Sequence, residues 1–346
     1  MLLKVFLMKK EYKSIIWLRL DSIGDAVLSS SMLPHIKAKY PEAKITVVCQ
    51  RHVAELYEHC PFVDDIITTP TEANCSIFQN GSQHLEVLTK IKDKCPDLLL
   101  NSVYSVHYLS DMNDLEFIPE RFAFRNVEIA NYTNIISLTN PELLELNKHL
   151  KFLESLDIKT NSLEPQIWLT EEDKKFALGI FQKFNLSPEK VIVLFAGARV
   201  IEKTYDQCGE SVKRVCEEFG YKVITVGTKE EYAMNQKSLD VIGEGINLSG
   251  ELTIRQTAAI IEQCRMTVGP DTGFSHVACA VQTPNVVILG GGYKNRFFPY
   301  SNLTSVISIP MDCWGCNYQC KGRELNCLRL ISPDMVEKGI RKVLGI

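Results

Sequence analysis

The sequence predicts an α/β protein of two doubly wound halves, each a parallel sheet covered by helices, facing one another across a cleft. Three observations carry this. Strand and helix patterns alternate along both halves, which calls for right-handed crossovers and parallel pairing. Two loop-to-helix turns, each after an apolar strand, stand in opposite halves of the chain. At 346 residues the chain is long for a single core.

In the first half, compact apolar runs place strands at Ile15–Leu20, Ile45–Cys49, Asp65–Thr68 and Asp97–Asn101. Helical spacing falls over Ala26–Tyr40, Val53–His59 and Leu85–Lys94. The stretch 102–136 is aromatic, polar and of mixed period, and is expected to hold substrate-side loops and one or two short strands. Pro141–Leu156 reads as a helix and Asp157–Trp168 as the crossing between halves, so the expected domains are 1–160 and 161–346. The second half opens at Thr170-Glu171-Glu172-Asp173, a Thr-capped, acid-rich helix start. Strands follow at Val191–Phe195, Lys222–Val226, Met266–Val268 and Asn285–Leu289, with helices at Asp206–Phe219, Glu230–Leu239 and Ile254–Cys264 and another opening at Asp271. A closing helix, Ser332–Leu344, is free to pack back on the N-terminal domain.

Composition is that of an ordinary globular chain, 45% hydrophobic and 23% charged. A net charge of −4 argues against a general nucleic-acid binder. No apolar run reaches the roughly 18–20 residues of a membrane span. The opening MLLKVFLMKKEYK puts its apolar segment before its lysines, the reverse of a signal peptide, and reads as an N-terminal extension. Twelve cysteines without a secretion signal fit a reducing cytoplasm.

Chemistry concentrates in a few loops. TVGPDTGFSHVACA, Thr267–Ala280, reads as a strand, a Gly269-Pro270 break and a helix opened by Asp271-Thr272-Gly273, with His276 near its first turn. A helix start offers unpaired N–H groups and positive dipole charge, so this layout suits an anion; an N-capped helix with Asp271 or Thr272 as cap is the bland alternative. Gly24-Asp25 follows the first strand, where open parallel sheets place ligands, although such a pair is often only a turn. Ala196–Lys203 offers backbone N–H groups at Gly197 together with Arg199 and Lys203, and Gly227–Glu231 a tight turn with Glu230 and Glu231. Singly each loop has an ordinary structural explanation. Together, cations and N–H donors for phosphates and a carboxylate for ribose favour a nucleoside diphosphate. Neither G-x-x-x-x-G-K nor G-x-G-x-x-G after the first strand occurs. Cys313-x2-Cys316-x3-Cys320-x6-Cys327 could hold a structural Zn²⁺ or iron, with free thiols packing a loop the stronger alternative.

The stretches LRLDSIGDAVLSSSMLPHIKAKYPEAKITVV and LSGELTIRQTAAIIEQCRMTVGPDTGFSHVACAVQTPNVVILGG resemble the ADP-heptose lipopolysaccharide heptosyltransferases, glycosyltransferase family 9. The resemblance runs from about Ile15 to Val343. It implies a GT-B fold of two Rossmann-like domains, an N-terminal acceptor domain, a C-terminal nucleotide-sugar donor domain, and inverting transfer with no cofactor needed for catalysis. It implies Asp25 as general base, Lys203 as the clamp on the leaving phosphates, Asp271, Thr272, Gly273 and His276 as the donor helix start, and Glu230 or Glu231 near ribose or adenine. The implied partners are ADP-heptose and a lipopolysaccharide core, at the inner face of the inner membrane with peripheral contact. Phe195-Ala196-Gly197 departs from the family's His-Pro-Gly, Thr204-Tyr205 from a basic residue and Trp, and Phe274-Ser275 from Pro-Met. Alternatives are another donor or a protein acceptor on the same fold, a nucleotide-sugar epimerase, or a binding protein without turnover.

Overall fold

A computed structural model describes residues 10–69, 81–103, 112–124, 132–138, 144–293, 296–320 and 326–346. The chain begins β1 (Ser14–Arg19), α1 (Ile23–Ser30), α2 (Leu33–Lys39), β2 (Lys44–Gln50), β3 (Asp65–Thr69), α3 (Gly81–Asp93) and β4 (Leu98–Asn101). Then come β5 (Glu120–Phe124), β6 (Asn134–Ile136), α4 (Glu145–Ser155), α5 (Glu171–Lys183), β7 (Val191–Leu194), α6 (Cys208–Phe219), β8 (Lys222–Thr225) and α7 (Tyr232–Ile242). It closes with β9 (Ile246–Asn247), α8 (Ile254–Gln263), β10 (Met266–Pro270), α9 (Gly273–Ala280), β11 (Asn285–Ile288), β12 (Thr304–Ile307), α10 (Asn326–Arg329) and α11 (Pro333–Leu344).

Packing divides the chain into two compact units. Met1–Asp21, Met32–Thr139 and His149–Asn161 form the first; Ser22–Ser31, Asn140–Lys148 and Ser162–Ile346 form the second. A division at residue 160 follows the chain, whereas the packing gives α1 and the start of α4 to the second unit.

The first unit holds a parallel sheet in the order β3-β2-β1-β4-β5-β6. Ile16 and Leu18 of β1, Val48 of β2 and Leu99 of β4 pack with Val87, Leu88 and Ile91 of α3. The second unit repeats that order: β12-β11-β10-β7-β8-β9, again parallel throughout. In each sheet the first strand of the unit pairs with its second and its fourth, so the strand order reverses beside it. Such a reversal opens a crevice at the carboxyl ends of the strands. All four residues of β7, Val191–Leu194, are buried, as a strand covered on both faces requires.

Several elements differ from the sequence reading. The helix expected over Ala26–Tyr40 is two, because Pro34 in the first turn of α2 has no N–H to continue the ladder from α1. The helix expected over Val53–His59 is a 3-10 turn over Arg51–Leu56; Pro61 follows closely and disfavours helical backbone before it. The short strands expected in 102–136 are β5 and β6, whereas β9 and β12 were not anticipated. The start of the helix expected over Pro141–Leu156 lies outside the described residues. The closing helix α11 belongs to the second unit, where it lies against α6, β11 and β12.

Candidate active site

In the second unit β7 and β10 are the strands between which the order reverses, and their loops carry the residues of interest. Lys203 ends a 3-10 turn after β7, and Asp271 follows β10. Lys203 Nζ donates to Asp271 Oδ2 at 2.8 Å and to its carbonyl at 3.2 Å. The rings of Tyr293, Tyr318 and Phe297 stand 4.7, 5.5 and 5.6 Å from that ammonium. The charge is held by a carboxylate on one side and aromatic faces on others, in partly dry surroundings where it acts strongly.

The helix start beside it is built to receive an acceptor. Thr272 occupies the N-cap of α9 but makes no side-chain cap bond, and Asp271 is turned to Lys203 instead. Thr272 Oγ1 is buried with no hydrogen-bond partner among the described residues. The first-turn N–H groups of an uncapped helix, with the dipole behind them, suit phosphate oxygens.

Gly24 and Asp25 belong to α1, which packs on α9. A Cβ on Gly24 would sit 2.7 Å from His276 Cδ2, so only glycine allows this approach. His276 is buried, its ring set against those of Phe298 and Tyr300, which also stack on each other, and places Nδ1 3.0 Å from the Tyr300 hydroxyl. Burial pushes its imidazole down to about 4, with Asp271 opposing and Lys203 assisting. That favours the neutral ring, which lies against Gly24 of α1. Arg199 Nη2 donates to Ser22 Oγ at 3.0 Å, tying the loop after β7 to the residue before α1.

Glu231 joins two more loops. Its Oε2 accepts from the Thr228 N–H at 2.7 Å, and a Cβ on Gly197 would meet its Cγ at 2.5 Å. Burial raises its carboxyl above the usual range, while the Thr228 N–H holds it down. Glu230 is exposed, its own N–H and the Thr228 hydroxyl lowering its carboxyl. Of the two, Glu231 is the one set among the loops after β7 and β8.

The sequence reading did not single out Arg296, Glu145, Lys148 or the aromatic rings about Lys203. Their signals in the sequence are the run Tyr293-x-x-Arg296-Phe297-Phe298 after Gly290-Gly291-Gly292 and the Glu145-x-x-Lys148 spacing.

Among the described residues no three His, Cys, Asp or Glu side chains gather to hold an ion. Cys327 on α10 is instead buried in the core with Ile331, Val336 and Ile340. Cys313, Cys316 and Cys320 are half-buried, and burial with Cys316 alongside raises the Cys320 thiol.

Two doubly wound parallel sheets, one with cation and helix start at its reversal point, give the chain the GT-B fold. Residues 124–323 match the model of glycosyltransferase family 9 (heptosyltransferase), and the chain belongs to that family. It is 24% identical to lipopolysaccharide heptosyltransferase 2 of Salmonella typhimurium, covering 83% of this chain and 85% of the relative. A family 9 glycosyltransferase from Veillonella parvula superposes with a TM-score of 0.85 at 20% identity, over 97% of this chain and 98% of that one. The E. coli heptosyltransferase WaaC with ADP-2-deoxy-2-fluoro heptose superposes with a TM-score of 0.70 at 14% identity, over 95% and 99%.

Proposed function

We propose that this enzyme is an inverting heptosyltransferase, moving L-glycero-D-manno-heptose from ADP-heptose to an inner-core sugar of lipopolysaccharide. The observation that carries this reading is the Lys203–Asp271 pair beside the uncapped start of α9, with Asp25 on the helix packed against it. The Salmonella relative's name supports the substrate, and the ligand of WaaC supports the donor.

The donor diphosphate lies at Thr272 and Gly273 with Lys203 as its cation, and Glu231 takes the ribose or adenine side. Asp271 accepts two of the three ammonium hydrogens and aims the side chain. As the bond from the anomeric carbon to the diphosphate oxygen breaks, Lys203 and the helix start stabilise the charge gathering there. Asp25 takes the proton of the acceptor hydroxyl, whose oxygen forms the new bond on the opposite face of the sugar, which inverts the centre. No step in this reading is assigned to a metal. Residues 1–160 supply the acceptor side, and the enzyme works in the cytoplasm at the inner face of the inner membrane. No helix among the described residues is long and apolar enough to cross a membrane, so contact there is peripheral in this reading.

The test is transfer from ADP-heptose, against UDP- and GDP-sugars, onto truncated lipopolysaccharide cores, read by product mass. A heptose-sized gain from ADP-heptose alone is expected. ADP binding without extension of any core would move the reading to another sugar or a protein acceptor.

A further inference from the structure

Behind Asp25 lies a line of charges that the proposed reaction leaves unexplained. Arg296 Nη2 stands 3.9 Å from Asp25 Oδ1, and Arg296 Nε donates to Glu145 Oε2 at 2.8 Å. Lys148 Nζ donates to the same Oε2 at 3.1 Å. The Glu145 N–H donates to the Arg296 carbonyl at 2.8 Å, so backbone and side chain hold the same arginine. Lys148 is 0% and Glu145 4% exposed. Burying such a pair costs several kcal/mol per ion before pairing, and nonpolar replacements of similar volume are often as stable. The charges therefore call for a use other than stability.

The surroundings suggest that use. The Arg296 guanidinium lies 4.6 Å from the Phe297 ring centre and 5.7 Å from that of Tyr293, which limits its freedom. Burial works against its charge, yet Glu145 and Asp25 hold it above its ordinary range. Burial pushes the Lys148 ammonium down, with Glu145 opposing. On the facing helix α9, His276 is neutral; Lys203 and Asp271 are paired with each other, and Arg199 is turned to Ser22.

We propose that Arg296, anchored by Glu145 and Lys148, is a positioning residue for Asp25, orienting its carboxylate and keeping it ionised until the acceptor proton arrives. The inference rests on the reading of Asp25 as base. Glu145 shares the arginine's charge, so Asp25 is stabilised as an anion without the full depression of basicity that an unshared guanidinium brings.

The experiment follows the Asp25 carboxyl by NMR titration of the whole protein labelled at its aspartate carboxyl carbons, the signal assigned by its loss in Asp25→Asn. Arg296→Ala should raise the Asp25 midpoint by roughly one pH unit, whereas Glu145→Gln should lower it. Opposite signs are what a general loosening of the site would not give. Arg296→Lys should return most of the shift. In transfer from ADP-heptose to a truncated lipopolysaccharide core, Arg296→Ala should move the acid limb of kcat/KM upward while the donor KM stays within about twofold. A midpoint unmoved in Arg296→Ala overturns the positioning role and leaves Asp25 as base. If that variant does not fold, a midpoint unmoved or raised in Glu145→Gln overturns it. Full transfer by Asp25→Asn overturns the base itself, and the positioning role with it.

Discussion

The two units share one strand order, yet their reversal points are finished differently. In the first unit, Arg19 at the end of β1 pairs with Asp21, donates to Ser102 Oγ at 2.8 Å and lies beside the Trp17 ring. Ser102 also accepts from Trp17 Nε1 at 3.0 Å, and Gln50 donates to the carbonyls of Leu20 and Asp21. Arg19 is 1% exposed: its charge is spent inside the fold. In the second unit, Lys203 pairs with Asp271 at the corresponding place, but its side chain keeps 13% exposure beside a helix whose N-terminus no side chain caps. Both points carry a cation and an aspartate. The lesson is that topology opens a crevice, and local residues decide whether it is sealed or left to bind.

Variants can break or sharpen this contrast. The largest effect falls on transfer itself: Asp25→Ala should slow it on the order of a hundred- to ten-thousand-fold, with donor affinity kept, as single-turnover rates and ADP-heptose titration would show. Next is a matched pair. Arg19→Ala should cost about 3–5 kcal/mol of folding stability by stranding Asp21, measured in urea, without weakening the donor site of the protein that remains folded. Lys203→Ala likewise strands a buried aspartate, Asp271, but should also weaken donor binding roughly ten- to hundredfold through loss of a charged hydrogen bond. Equal donor affinity in the two variants would erase the distinction between a sealed and a binding reversal point.

His276 gives a third effect. Its imidazole titrates near 4 when folded against an ordinary 6.5. The unfolded chain therefore takes up its proton first as pH falls. The stability His276 contributes is full above 6.5 and is lost between 6.5 and 4. The loss is on the order of 3 kcal/mol, and His276→Gln should flatten that slope in urea melts across pH. The smallest effect is Gly24→Ala, about 1–3 kcal/mol of destabilisation as the new methyl meets His276. No change in midpoint would show that α1 and α9 adjust freely.

Much of this was legible in the residues. Most strands of both sheets followed from apolar runs separated by helical spacing, and their parallel order puts the loops after β7, β8 and β10 on one edge. The helix start at Asp271 was readable because strand, break and helix lie within one short stretch. Local pattern could not show that α1 leaves its own half of the chain to pack on α9, since that depends on the match between Gly24 and His276. It left Glu230 and Glu231 equal, because one residue's difference in burial decides between them. Arg296 and Glu145, far apart in sequence, meet only by tertiary packing. The cysteine spacing could not show that Cys327 packs into the core with Ile331 and Val336.

The most direct test of the account is calorimetric titration of ADP into the whole protein, its Lys203→Ala variant, and Ser102→Ala as the matching change in the first unit. The predicted result is binding to the unaltered protein, roughly tenfold or more weakening in Lys203→Ala, and no change in Ser102→Ala. Equal affinity in all three, or loss in Ser102→Ala alone, would contradict a donor site at the reversal point of the second unit.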